Sequence, residues 1–170
     1  KWAFSNAIDA PVASSTGPVD PEPWDEATTS DANDFVRVTA TASATQQISY
    51  VPRDYNTARK TPTAYFTVVL KIDNIGISPL RYTGWSKDKP EQAAKLIDYT
   101  GSTLQQVDLD GRVIGQTSSA TIPPSGSIED FLVFPNSSRV SPYLKLQLPA
   151  EACGGSGNLR IKLQQTPMID

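Results

Sequence analysis

The chain has 170 residues, with 15 Lys plus Arg against 18 Asp plus Glu, 14 Pro, 10 Gly, one Cys and no His. Without imidazole there is no Ser-His-Asp or Cys-His triad, no histidine-ligated haem and none of the usual histidine-containing zinc sites; with one thiol, Cys153, there is no intrachain disulfide, thiolate cluster or C-x-x-C redox pair. The formal charge of -3 hides an asymmetry: residues 1–34 carry Lys1 against seven acidic side chains, for -6, while the remainder carries 14 basic and 11 acidic groups, for +3.

The first segment, residues 1–33, reads as an extended acidic arm. Pro11, Pro18, Pro21 and Pro23 forbid helix, Ser and Thr are frequent, and no apolar periodicity survives. Such a segment gains little by folding onto its own domain, so it is expected to lie across a partner, with Trp2, Phe4, Ile8, Val12, Val19 and Trp24 as anchors. Lys1-Trp2-Ala3-Phe4 is a basic and aromatic mixture of the kind found at a bilayer interface, and the chain starts at Lys1 instead of Met. Both features raise the expectation of a signal peptide or membrane tether upstream of Lys1. The longest nearly continuous apolar stretch, Tyr65 to Ile72, is far short of a membrane helix.

From Asp34 the period becomes two, and residues 34–170 read as one β domain. Val36, Val38, Ala40 and Ala42 fall on one face of a half-buried strand, with Arg37, Thr39 and Thr41 on the other. Residues 43–62 are polar and read as a long excursion between strands. Phe66, Val68, Leu70 and Ile72 form the inward set of the next strand, and Val69 on its other face predicts a central position. A short run from Pro79 through Tyr82 to Trp85 follows, then a helical turn at Pro90–Lys95. Leu96–Tyr99 and Thr103–Val107 read as a hairpin around Gly101. Strands are expected at Arg112–Ile114, Ile128–Phe134, Tyr143–Leu148 and Leu159–Leu163. In the last two, Leu144, Leu146, Leu148, Leu159, Ile161 and Leu163 alternate with Lys145, Gln147, Arg160 and Lys162. Seven to nine short strands at turn-marked intervals predict an all-β, antiparallel β-sandwich.

Six segments in order carry a family resemblance. They are Val69-Leu70-Lys71-Ile72-Asp73-Asn74 with Pro79-Leu80-Arg81-Tyr82, Leu96-Ile97-Asp98-Tyr99-Thr100-Gly101, Ile122-Pro123-Pro124-Ser125-Gly126, Asp130-Phe131-Leu132-Val133-Phe134 and Leu144-Lys145-Leu146-Gln147-Leu148-Pro149. Together they resemble the immunoglobulin-like domains of bacterial secreted and membrane-tethered proteins of unknown function. The resemblance covers about residues 64–165, and the sequence departs from it by placing Ser125 between Pro124 and Gly126, where the family has Pro and Gly adjacent. It implies an extracytoplasmic immunoglobulin-like sandwich used as an adaptor or structural module, with no catalytic residues to carry over.

Candidate sites weigh against simpler roles. Asp108-Leu109-Asp110-Gly111 opens like a calcium loop, but Arg112 follows and no distal Glu completes the ligand set, so it reads as a turn. Glu129 and Asp130 are adjacent and face opposite sides of a strand, so a glycosidase pair would need a distant carboxylate. Tyr50, Tyr55, Tyr82, Trp85 and Tyr99 could make a sugar-stacking platform, although aromatic residues in sandwiches are more often core. Cys153, before Gly154-Gly155-Ser156-Gly157, lacks a base and reads as a passive thiol; the glycines lack the continuation of a phosphate loop. Asn136-Ser137-Ser138 matches a glycosylation acceptor. No basic cluster with interleaved aromatics is visible, so nucleic acid is not an expected partner.

The functional expectation is a noncatalytic accessory subunit that binds no cofactor or metal. It fastens protein subunits into a larger, membrane-associated assembly, with respiratory and photosynthetic complexes among the candidate hosts. The alternatives are an extracytoplasmic module binding envelope carbohydrate and a carboxylate-based hydrolase.

Overall fold

The computed structural model describes residues 28–85, 89–136 and 141–164. In chain order its strands are β1 (Ser30–Ala32), β2 (Val36–Gln46), β3 (Ser49–Pro52), β4 (Arg59–Lys60), β5 (Tyr65–Asn74), β6 (Leu80–Tyr82), β7 (Lys95–Ile97), β8 (Thr103–Gln105), β9 (Gly111–Val113), β10 (Ala120–Ile122), β11 (Ser127–Phe134), β12 (Tyr143–Pro149) and β13 (Asn158–Gln164). A 3-10 turn at Ala150–Cys153 joins the last two. Every pairing is antiparallel. One four-stranded sheet runs β1-β2-β5-β11, and a second runs β13-β12-β7-β8.

These two sheets share one apolar interior, which makes the fold an antiparallel β-sandwich. The first contributes Val36, Val38, Val68, Leu70, Ile72, Leu132 and Phe134; the second contributes Leu96, Leu144, Leu146, Leu148, Leu159, Ile161 and Leu163. The period-two pattern places each set on one face, and burial of so many branched side chains is the dominant favourable term. β5 is central, between β2 and β11, as Val69 on its outer face predicts. The pair β6-β10 contributes Leu80, Tyr82 and Ile122 to the same interior.

Several expectations need correction. A β-bulge between Ala40 and Ala42 shifts the register, so Ala42 stands opposite Val69 instead of continuing the inward row of Val36 and Val38. The polar stretch 43–62 is not a bare excursion: β2 runs on to Gln46, and β3 and β4 pair within it. With β9 they form a small three-stranded sheet, order β4-β3-β9. Its Ile48 flank and Val113 pack on Val133, Tyr65 and Phe131, covering part of the outer face of the first sheet. Pro90–Lys95 holds hydrogen-bonded turns, Gln92 N to Lys89 O and Ala93 N to Pro90 O, and no helix. Thr28–Ala32, at the end of the stretch read as arm, includes the edge strand β1.

The turns behave as the sequence implies. Asn74 is buried at the end of β5, where its Nδ2 donates to the carbonyls of Ser78 and Ile122 and its Oδ1 accepts from Gly76 N–H. Asp98 Oδ1 accepts from Thr100 N–H, Thr100 Oγ1 and Ser102 N–H, closing the β7–β8 hairpin. In the Pro123–Gly126 turn, Gly126 N–H donates to Pro123 O, and Ser125 occupies the left-handed region at φ 61°.

Candidate interaction surface

The alternation that buries the leucines of the second sheet also decides what its other face presents. With Leu144, Leu146 and Leu148 inward, Tyr143, Lys145 and Gln147 point out; likewise Arg160 and Lys162 on β13, and Lys95 and Ile97 on β7. The register gathers them. Lys145 stands directly opposite Lys162 and Gln147 opposite Arg160, while on the other flank of β12 Gln147 faces Lys95 and Lys145 faces Ile97. The Nζ atoms of Lys162 and Lys145 lie 4.5 and 5.9 Å from the centroid of the Tyr143 ring, where its electron-rich face attracts cations. No Asp or Glu occurs in β7, β8, β12 or β13.

Four cations and an aromatic ring therefore share one sheet face, two of the cations directly opposed across a strand pair. Like charges in that position destabilise a sheet. No basic cluster with aromatics is visible along the sequence, yet the fold assembles one. Its members are spread from Lys95 to Lys162 and meet only through strand pairing.

The same face borders the point where the N-terminal segment joins the domain. Lys162 N–H donates to Thr28 O at 2.9 Å, and Arg160 N–H donates to Asp31 Oδ2 at 2.7 Å. β1 thus lies along the otherwise free edge of β13 while pairing on its other side with β2.

Three of the groups with chemical potential elsewhere, Asp130, Tyr82 and Cys153, are tied into the core. Glu129 is exposed, whereas Asp130 is 1% exposed and accepts hydrogen bonds from the Tyr82 hydroxyl, Thr117 N–H and Phe131 N–H. Burial pushes the Asp130 carboxyl above its ordinary range, against the opposing pull of those donors. Burial first, and the neighbouring Asp130 second, push the Tyr82 hydroxyl up. Cys153 is buried, and burial pushes its thiol up to about 12, so little of it is thiolate near neutral pH. Asp108–Gly111 is a turn: Asp110 N–H donates to Asp108 Oδ1, and the Asp110 carboxylate lies 3.4 Å from exposed Arg53. Gly111 is required there because a Cβ would sit 2.4 Å from Val51 O. Among the described residues no group of three or more His, Cys, Asp or Glu gathers where a metal could sit.

The five candidate stacking residues do not form one platform. Tyr82 and Trp85 are fully buried, edge to face with ring centroids 5.0 Å apart, and Trp85 Nε1 donates to Pro149 O. Tyr55 and Tyr99 are about half exposed, and Arg59 lies over the Tyr55 ring at 4.1 Å. Tyr55 borders an open depression of about 450 Å³ with Arg53, Arg112, Gln106 and Asp108. The arm anchors Trp2, Phe4, Ile8, Val12, Val19 and Trp24 lie outside the described residues, as do Ser137 and Ser138 of the acceptor triplet.

No family model and no curated protein matches this sequence. Among solved structures, the chain is similar to the yjhA protein of Bacillus subtilis, with TM-score 0.55 and 12% identity over 79% of this chain and 96% of that one. It is also similar to a candidate lipoprotein (ycdA) of Bacillus subtilis subsp. subtilis str. 168, with TM-score 0.53 and 16% identity over 82% of this chain. This chain spans 39% of the length of that lipoprotein. A third match, at TM-score 0.45 and 12% identity over 82% of this chain and 91% of that one, is an uncharacterized β-sandwich protein of Clostridium difficile 630. At identities this low the likeness concerns the fold alone. Among the described residues no helix is long and apolar enough to cross a membrane.

Proposed function

We propose that this chain is a noncatalytic interaction module: an immunoglobulin-like sandwich acting outside the cytoplasm as an accessory subunit of a larger, membrane-associated protein assembly. The observation that carries this reading is the cationic outer face of β7, β12 and β13, where Lys145 and Lys162 lie at the Tyr143 ring and Lys95 and Arg160 flank Gln147, with no carboxylate from the same strands. A sheet face whose outward charges share one sign suits a surface that meets an anionic counterpart. Asp130, Tyr82 and Cys153, whose proton affinities are shifted, lie in the core and are used for packing and hydrogen bonding, which supports a recognition role over a reaction at these groups. The similarity of this chain to part of a solved protein described as a lipoprotein supports the extracytoplasmic location.

Native purification of the full chain from its source cell tests the reading. Stable co-migration with other subunits in envelope fractions is expected, and a free monomer with a protease-labile arm overturns it. A second reading, an envelope-carbohydrate module, draws on the half-exposed Tyr55 beside Arg53 and Arg112 at the rim of the depression. Glycan-dependent protection of Tyr55 from chemical modification, lost in Tyr55→Ala, would favour it.

A further inference from the structure

We propose that the open depression beside Tyr55 is a binding site for an acidic sugar of the hexuronate class. This rests on the envelope-carbohydrate reading above and names the ligand class for that site.

The cations come together through strand pairing. β3 and β9 pair with Val51 opposite Arg112, and just past the end of β3 Arg53 N–H donates to Asp110 O, so both arginines line the depression. Arg53 lies 3.4 Å from the Asp110 carboxylate, whereas exposed Arg112 forms no ion pair among the described residues. Arg112 is therefore the guanidinium that can take a carboxylate in two parallel hydrogen bonds.

The acceptors come from the connection between β8 and β9. Gln106 is 8% exposed, and its Nε2 donates to Trp85 O, which fixes the orientation of the amide. Its Oε1 accepts from no described residue and is not sealed from solvent, so it is the polar atom Gln106 offers to the depression it lines. Asp108 lines the same space; its Oδ1 accepts from Asp110 N–H, and a carboxylate has about four acceptor positions. Both groups call for donors on the ligand. The half-exposed Tyr55 ring, with Arg59 over it at 4.1 Å, adds an aromatic surface against which sugar C–H groups can pack.

This mixture selects among ligands. A simple inorganic anion suits Arg112 but brings no donors and is repelled by Asp108 and Asp110. A neutral sugar donates to Gln106 and Asp108 but leaves Arg112 without a counter-charge. A hexuronate carries one carboxylate, several hydroxyl donors and C–H groups, one for each feature of the site. The volume of about 450 Å³ falls within the usual range of small-ligand sites, roughly 300–1,000 Å³. The small sheet β4-β3-β9 lies on the outer face of the first sheet, away from β7, β12 and β13, so a sugar and partner subunits can be held together.

The test is titration calorimetry on the full chain at low salt with three probes: digalacturonate, the neutral galactobiose and sodium sulfate. Digalacturonate should bind about tenfold tighter than either of the others, and Arg112→Gln and Tyr55→Ala should each weaken it by about tenfold. Arg37→Gln, an exposed change on β2 away from the site, should leave binding unaltered. In nitrogen-15 spectra the Gln106 side-chain amide should move with digalacturonate and not with sulfate. Equal binding of sulfate, or full binding by Arg112→Gln, overturns the proposal. Galactobiose binding as tightly as digalacturonate overturns the acidic ligand and leaves the carbohydrate reading standing. Binding of none of the three also overturns the proposal, while protection of Tyr55 by envelope glycans decides the broader reading separately.

Discussion

The hydroxyl of Tyr82 on β6 donates to Oδ2 of Asp130 on β11, inside the sandwich and between two elements 48 residues apart in sequence. The carboxylate stands in a row of otherwise apolar inward positions, Ile128, Leu132 and Phe134, and its other oxygen accepts from Thr117 N–H and Phe131 N–H at 2.7 Å each. A buried polar group of this kind is tolerable only when its bonds are made. Removing the donor with Tyr82→Phe should cost about 1–3 kcal/mol at neutral pH, read from denaturant midpoints. A change below about 0.5 kcal/mol would show that the bond contributes nothing net.

Asp130 also sets a pH dependence. Its folded-state affinity for protons is raised by burial, so between the ordinary carboxylate value of 3.8 and the raised one the folded chain binds more protons than the unfolded chain. Its contribution to stability is therefore full at low pH and is lost as pH rises through the raised value. Asp130→Asn should gain stability relative to the unaltered chain on going from pH 3 to pH 7, as measured by paired thermal melts; a constant difference would refute the assignment. Tyr82 and Cys153, also raised by burial, add a second fall in stability above about pH 9.

Cys153 provides a direct probe of the closed core. With its thiol pushed from 9.0 up to about 12, the thiolate fraction at pH 8 is about 10³-fold lower than in the unfolded chain. Alkylation of the native protein should be slower than in denaturant by a factor of about that order. Rates that agree within tenfold would mean that the 3-10 turn at Ala150–Cys153 opens readily.

The Pro123–Gly126 turn is improvable at one position only. Ser125 sits at φ 61°, which costs an L-residue about 1–2 kcal/mol, partly returned through the greater unfolded-state freedom of glycine. Ser125→Gly should raise stability by up to about 1 kcal/mol. Gly126→Ala should lower it, because a Cβ there would meet Pro123 Cγ at 2.8 Å and Pro123 O at 2.9 Å. Equal effects of the two changes in thermal melts would contradict the turn geometry.

Lys162→Glu separates surface recognition from folding. It places opposite charge against Lys145 and gives up the contact with Tyr143, two effects of similar size and opposite sign, so stability should change by less than about 1 kcal/mol. Co-migration with partner subunits should nevertheless weaken. Unchanged co-migration would remove this face from the proposed function.

The leucine rows show how far the sequence reaches. Leu144, Leu146, Leu148, Leu159, Ile161 and Leu163 alternate with polar residues at period two, and that alternation alone makes the strands, their inward faces and the sandwich class legible. The Ala40/Ala42 bulge is not, because a bulge leaves no mark in the local pattern of small residues and is fixed by the pairing with β5. β3 and β4 are hidden in a polar stretch because β3 is stabilised by pairing with β9 and by the Ile48–Val113–Val133 cluster, contacts far apart in the chain, and β4 pairs only with β3.

The sequence by itself determined what the chain cannot do with histidine or paired thiols, and it set the split between an acidic N-terminal segment and a mildly basic body. Alternation follows from local backbone geometry, so it also determined which side chains of each strand face in and which face out. Only the tertiary structure decided that the outward cations of three separate strands share one sheet face, that the N-terminal segment joins the domain at the edge of that face, and that Asp130 and Tyr82 satisfy one another. Strand register and sheet order set those distances, and both arise from nonlocal pairing that no window of sequence contains.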